Sequence, residues 1–167
     1  MRTEAEFEAF VVAVMPQLER LGCALTGGDI HQAKDLVQAT FEKLYIVWGR
    51  RVIKSPTAYA RATLVRTFLS QRRRASQLRE VLEAEPDRQE VVNDLPARLT
   101  MLDLDRALRQ LPPRQRAAVV LRYLEDLSIA EVAVATKSSQ GNVKRLTHDG
   151  LERLRELVPS ALGVESP

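Results

Sequence analysis

Apolar residues recur along most of this chain at steps of three and four, the spacing that lines one face of an α-helix. Phe7, Phe10, Val11, Val14, Leu18, Leu21 and Leu25 form the first such stripe. Thr26-Gly27-Gly28 stops it, since glycine readily takes the left-handed conformation that ends a helix, and Asp29 is placed to cap the next. Ala33, Val37, Phe41, Leu44 and Trp48 make a second stripe, ending at Gly49. Ser55-Pro56 opens a third, with a serine cap and a proline at the first helical position, where its missing N–H is not needed. Tyr59, Ala62, Leu64, Val65, Phe68 and Leu69 fill its inner side before it runs out in Arg72-Arg73-Arg74.

Between residues 75 and 100 the pattern lapses. Glu80, Glu83, Glu85, Pro86, Asp87, Glu90, Asp94 and Pro96 fall here, and charge with proline predicts an exposed linker with no more than transient helix. Helical spacing returns with Leu102, Leu104, Leu108 and Leu111. Pro112-Pro113 starts a helix through Val119, Val120, Leu121 and Leu124, and Ser128 caps a short one carrying Ile129, Val132 and Ala133. After a turn at Lys137-Ser138-Ser139, a final helix carries Val143, Leu146, Leu151, Leu154 and Leu157. The expected fold class is all-α: two small helical domains, residues 1–74 and 101–158, joined by an acidic linker over 75–100. A tail over 159–167 has no packed pattern.

Composition narrows the function. The chain has 167 residues, 45% hydrophobic and 28% charged, which suffices for packed cores, and its 5% aromatic content favours helices over a sandwich. A net charge of +3 permits a nucleic-acid partner without requiring one. The total conceals a pattern: 12 Lys/Arg against 7 Asp/Glu in residues 1–74, 3 against 8 in 75–105, and 10 against 7 in 106–167. Two basic blocks flank an acidic one. Cys23 is the only cysteine, which excludes a disulfide framework and a cysteine zinc site, and its flanks Gly22 and Ala24 predict a small core residue. The start of the chain is acidic and amphipathic, unlike a signal peptide, and no apolar run reaches membrane-spanning length, so a cytoplasmic protein is expected. His31 and His148 lack neighbouring ligands, and no phosphate-binding glycine loop is present. No catalysis, metal or cofactor is expected.

The short helix, polar turn and final basic helix suggest a helix-turn-helix, whose second helix enters the major groove. Ser139, Gln140, Asn142, Lys144, Arg145 and His148 are available there. Gln and Asn can bond adenine through two contacts, and Arg or Lys can reach guanine or phosphate. An antiparallel bundle with a polar surface has the same spacing, and both readings stand on the pattern alone. Arg50, Arg51, Lys54, Arg61, Arg66 and Arg72-Arg73-Arg74 are equally two-sided. Cations complement a helix C-terminus, yet cations beside aromatics such as Tyr59 also suit a single strand with flipped or stacked bases. Trp48 is read as core filling.

The combination resembles a family. LTGGDIHQAKDLVQATFEKLYIVW (residues 25–48), with Asp35-Leu36-Val37-Gln38 and Phe41 at its centre, is similar to the polymerase-binding region 2 of extracytoplasmic-function (ECF) sigma factors. SPTAYARATLVRTFLSQRRR (55–74) resembles the adjoining segment that melts and reads the −10 element. LRQLPPRQRAAVVLRYLEDLSIAEVA (108–133) and, more loosely, GNVKRLTHDGLERLREL (141–157) resemble the region 4 helix-turn-helix. The stretch from LPPRQR to YLEDLS is especially similar to the SigE-like actinobacterial group. Together these segments cover most of the chain outside the linker.

The resemblance implies an alternative sigma factor that binds core RNA polymerase and directs promoter-specific initiation. Asp35, Leu36, Gln38, Phe41, Glu42 and Tyr45 would meet the clamp helices of the largest polymerase subunits. Lys54, Ser55, Tyr59, Arg61, Arg66, Arg73 and Arg74 would hold the −10 element, and Ser139, Gln140, Asn142, Lys144, Arg145 and His148 the −35 element. The acidic linker would thread toward the RNA exit path, and two small domains on a linker suit clamping by an anti-sigma factor. The chain departs from the family at Arg66, where asparagine is common, at Ser70 (aspartate), at Lys137 (glycine), at Asn142 (threonine) and at Asp149-Gly150, which often carries a basic residue. These departures bear on −35 preference. Two rival readings are a stand-alone helix-turn-helix regulator and a polymerase-binding regulator that does not direct initiation.

Overall fold

A computed structural model describes residues 2–82 and 101–158, and side chains outside 101–102 within them. Seven helices and no strand are found among the described residues: α1 (Glu4–Leu25), α2 (Ile30–Trp48), α3 (Pro56–Val81), α4 (Met101–Gln110), α5 (Pro113–Tyr123), α6 (Ile129–Thr136) and α7 (Gln140–Leu157).

Each start follows from a residue at its cap. Thr3 accepts the Glu6 amide while the Glu6 carboxylate accepts the Thr3 amide, so two orphan donors of α1 are satisfied reciprocally. Ser128 and Glu131 repeat this arrangement at α6. Asp29, Ser55 and Ser139 cap α2, α3 and α7 through their side-chain oxygens. Gly27 and Gly28, at φ +64° and +85°, end α1 as the sequence predicts. Pro16 lies inside α1, but both it and Val12, whose carbonyl loses its N–H partner, are exposed, so water can satisfy that carbonyl.

Helices α1 to α3 form one lobe and α4 to α7 the other. Leu18, Leu21, Leu36, Leu44, Leu64 and Phe68 are buried in the first, and Leu121, Val132, Val143 and Leu154 in the second. Trp48 is 5% exposed, packed by Phe7 and Phe10 at ring distances of 5.2 and 5.1 Å, and its indole N–H donates to the Thr3 carbonyl, as core filling requires. Cys23 is half-buried, and burial raises its thiol above the ordinary value.

One expectation needs correction. Helix α3 does not stop at Arg74 but continues through residues 75–81, a run of mostly good helix formers. Residues 83–100, where the remainder of the expected acidic linker falls, and the tail 159–167 lie outside the described residues. The lobes are also packed on each other, for one continuous cluster of buried apolar residues includes Leu25 and Phe68 together with Leu108, Ala117 and Leu121. Glycine makes this possible at one point: a β-carbon on Gly27 would stand 1.9 Å from Arg109 Cγ, and one on Gly28 would stand 2.6 Å from Asp105 Oδ2. The glycine pair thus both ends α1 and admits α4.

Candidate protein and nucleic-acid interfaces

The face of α2 that the sequence singles out divides in two. Leu36 is 1% exposed and belongs to the core, so it cannot meet a partner directly. Asp35, Gln38, Glu42 and Tyr45 are exposed, Gln38 donates to Glu42 at 3.1 Å, and Phe41 is half-buried. Gln38, Phe41, Glu42 and Tyr45 edge an open groove of about 520 Å³ between α1 and α2, with Phe7 and Met15 on its floor side. Aromatic and methionine surface rimmed by polar groups is the make-up of a protein-docking patch.

Around α3 the predicted nucleic-acid residues separate. Lys54 is exposed, Ser55 spends its hydroxyl accepting the Ala58 amide at 3.4 Å, and Tyr59 packs on the core. Arg73 and Arg74 are exposed. Arg61 and Arg66 are engaged within the chain. Arg66 donates from Nε to the Ala135 carbonyl (3.0 Å) and from Nη2 to the Val134 carbonyl (2.7 Å), so it caps the C-terminus of α6, where the helix dipole favours a cation. Arg61 Nε donates to Glu125 Oε2 at 3.1 Å, and Gln17 donates to the same oxygen at 2.8 Å. Arg20 lies 3.9 Å from Oε1, near enough for charge attraction and too far for a hydrogen bond. The Glu125 side chain is 1% exposed.

Helices α6 and α7 form the expected helix-turn-helix. Lys137, at φ +53° and ψ +43°, takes the left-handed turn position itself, and Ser138 N–H closes back on the Ala133 carbonyl at 3.0 Å. Ser139 caps α7 by accepting the Asn142 amide, which fixes the start of the helix. Gln140, Lys144 and His148 follow at intervals of four and are exposed, so one polar stripe runs along α7. Arg145 is exposed and donates to Asn142 Oδ1 at 2.8 Å. Asp149 is half-buried, and Gly150 is buried against α5.

Comparisons with known proteins decide which family owns this arrangement. A family described as "Sigma-70, region 4" matches residues 101–154. The RNA polymerase sigma-E factor of Streptomyces avermitilis is 33% identical over 159 residues, covering 93% of this chain and 86% of that protein. The ECF RNA polymerase sigma factor SigL of Mycobacterium tuberculosis is 32% identical over 155 residues, covering 88% and 85%. The chain belongs to the ECF sigma factors of RNA polymerase. It is an alternative sigma factor for transcription initiation, of the all-α class that the apolar spacing predicts. The fold is shared with the sigma factor RpoE of Bartonella quintana, solved in complex with the anti-sigma factor NepR, at a TM-score of 0.75 and 23% identity over 93% of this chain and 98% of that one.

Sequence reasoning missed two residues of this sigma factor that join its lobes. Glu125 lies in the YLEDLS segment, where nothing in the spacing points to a partner, and only the fold brings it to Gln17 and Arg61. Arg116, in the LPPRQR segment, is 5% exposed and donates to the carbonyls of Leu25, Arg109 and Leu111 at 2.7, 3.0 and 3.0 Å. Burial, with Arg72 and Arg109 nearby, holds its guanidinium down at about 10, still protonated near neutrality. No group of three or more metal-ligating side chains is found among the described residues, and no described helix is long and apolar enough to cross a membrane.

Proposed function

We propose that this sigma factor docks on the clamp helices of core RNA polymerase through the exposed Asp35, Gln38, Glu42 and Tyr45 of α2 with the half-buried Phe41 between them, acting in the cytoplasm. The carrying observation is the groove between α1 and α2, which the other described residues leave uncovered and which combines apolar floor with polar rim. The −10 element is held by the loop at Lys54 and by α3, and the −35 element by the Gln140, Lys144 and His148 stripe of α7. For Arg61 and Arg66 to reach DNA, their bonds to Glu125 and α6 have to break, so promoter engagement requires the lobes to separate. The fold shared with a sigma factor solved on NepR supports an anti-sigma factor as a further partner.

The test is transcription from a genomic library by actinobacterial core polymerase supplemented with the purified chain. Start-site-specific transcripts that vanish when Asp35 and Gln38 are replaced together support the reading. Polymerase binding without initiation would favour a regulator, and tight DNA binding without polymerase would favour a stand-alone helix-turn-helix protein.

A further inference from the structure

A second cleft, distinct from the α1–α2 groove, lies where the two lobes meet. It has a volume of about 450 Å³ and is lined by Arg72 and Arg79 of α3 on one side and by Arg109 and Arg116 of α4 and α5 on the other. Asp29 is the one carboxylate among its lining residues, and it already accepts the Gln32 amide at the start of α2. Asp105, outside the cleft, adds some attraction to Arg109. Charges of one sign that converge in a partly buried space repel each other and lose hydration. Both effects register on these groups: burial and Arg79 lower Arg72 against a smaller opposing attraction from Asp29, and burial with Arg72 and Arg109 lowers Arg116.

Hydrogen bonding leaves room for a ligand. Arg116 spends its terminal nitrogens on three carbonyls, none of them charged, and its buried Nε has no partner. Arg109 Nε is likewise buried without a partner. Arg72 Nη2 reaches the neutral Gln32 Oε1 at 2.9 Å, and Arg79 makes a long 3.4 Å bond to the Ala75 carbonyl. Among the described residues, four guanidiniums thus line one cleft without a carboxylate bonded to any of them, and two buried N–H donors have no partner. A compact anion of more than one charge with several acceptor oxygens matches that donor set, since guanidinium forks fit the edges of phosphoryl groups.

We propose that this cleft binds a phosphoryl oxyanion, free or carried on a small ligand, which bridges the two lobes through Arg72, Arg79, Arg109 and Arg116. A ligand that touches both lobes favours their packed arrangement by mass action. It therefore opposes the release of Arg61 and Arg66, a consequence that, unlike the site itself, rests on the promoter reading of α3.

The probes are inorganic phosphate, pyrophosphate, a single-stranded oligonucleotide of mixed sequence, and sodium chloride at matched ionic strength. With the full chain, pyrophosphate raises the melting temperature above chloride and protects amides in both α3 and α5 from exchange. Its calorimetric Kd weakens by about tenfold or more in Arg72→Gln and in Arg79→Gln, the loss expected for one charge-assisted contact. Each variant is compared with itself in chloride, so that any change in melting from the lost contacts of Arg72 with Gln32 and Phe68 is separated from a change in the pyrophosphate response. Equal responses to pyrophosphate and chloride overturn the site. A response to the oligonucleotide alone, lost in both variants, assigns the cleft to nucleic-acid backbone and overturns the small-ligand site.

Discussion

Val119 occupies the space that a side chain at position 150 would need: an ideal β-carbon on Gly150 lies 2.6 Å from Val119 Cγ2 and 3.4 Å from the Gln115 carbonyl oxygen. In isolation, glycine inside α7 costs about 1 kcal/mol relative to alanine. Here the missing side chain is what lets α7 approach α5. Because the valine χ1 is stiff, Gly150→Ala adds overpacking of about 1–3 kcal/mol, which outweighs the propensity gain. Urea denaturation is expected to give a net loss of about 1 kcal/mol, and a gain would mean that Val119 yields.

Lys137 is the converse case, a side chain where glycine would be easier. Its φ of +53° places a non-glycine residue in the left-handed region, at a cost of about 1 kcal/mol. Lys137→Gly is expected to raise stability by about 0.5–1 kcal/mol, the glycine's greater freedom in the unfolded chain taking back part of the gain. Asp126, at φ +52°, provides the control, because aspartate tolerates this region better and Asp126→Gly gains less. Equal gains at both positions would refute the argument from side-chain type.

These residues mark where the sequence was legible. Helix starts were readable because capping is local: Asp29, Ser55 and Ser128 each accept an amide three residues on, and Ser139, read only as a turn residue and DNA contact, does the same for α7. The turn at Lys137 and the stop at Gly27-Gly28 were readable for the same reason. Leu36 was misassigned because it sits beside the polar motif residues, although only the burial of one helix face separates it from Asp35. Arg61 and Arg66 could not be placed, since their partners lie 64 and 69 or 68 residues away and depend on how the lobes pack. The end of α3 was set too early because the arginine run looked like a terminus, whereas arginine is a good helix former.

Replacing Leu36 and replacing Gln38 should therefore fail in different ways. Leu36→Ala removes a fully buried side chain and is expected to cost about 2–5 kcal/mol, visible as a lowered melting temperature in the free protein. Gln38→Ala, at an exposed position, leaves the melt within about 0.5 kcal/mol and weakens binding to core polymerase. Unchanged polymerase affinity in a Gln38→Ala, Tyr45→Ala double variant would remove α2 from the docking surface.

The two reciprocal caps make a prediction about acid. The Thr3 amide, and after it the Thr3 hydroxyl, hold the Glu6 carboxyl below its ordinary value of 4.5; the Ser128 amide and hydroxyl do the same for Glu131. A carboxyl whose folded value is depressed contributes stability that is complete above 4.5 and is lost as pH falls through the folded value. Carbon-detected NMR titration should place both midpoints below that of an unstructured glutamate. Ser128→Ala removes the hydroxyl that donates to the Glu131 carboxylate and should bring Glu131 part of the way back while leaving Glu6 unchanged. An unmoved Glu131 midpoint would show that the hydroxyl has no part in the shift.

If α7 holds the −35 element as proposed, its stripe of Gln140, Lys144 and His148 separates base reading from phosphate binding. Gln140 stands at the start of the helix, the end that reaches base edges in a helix-turn-helix, whereas Lys144 lies one turn further along. A glutamine that bonds one adenine by two contacts discriminates by about 1–3 kcal/mol, so Gln140→Ala should relax preference at a single position of the −35 element. Lys144, as a phosphate contact, acts on every sequence alike: Lys144→Ala should weaken binding evenly and lower the slope of log affinity against log salt by about 1. Both variants are measured in the polymerase holoenzyme, on the promoter recovered from library transcription. If Lys144→Ala changed base preference and Gln140→Ala only the salt slope, α7 would have to lie in the groove with a different part of its length against the bases.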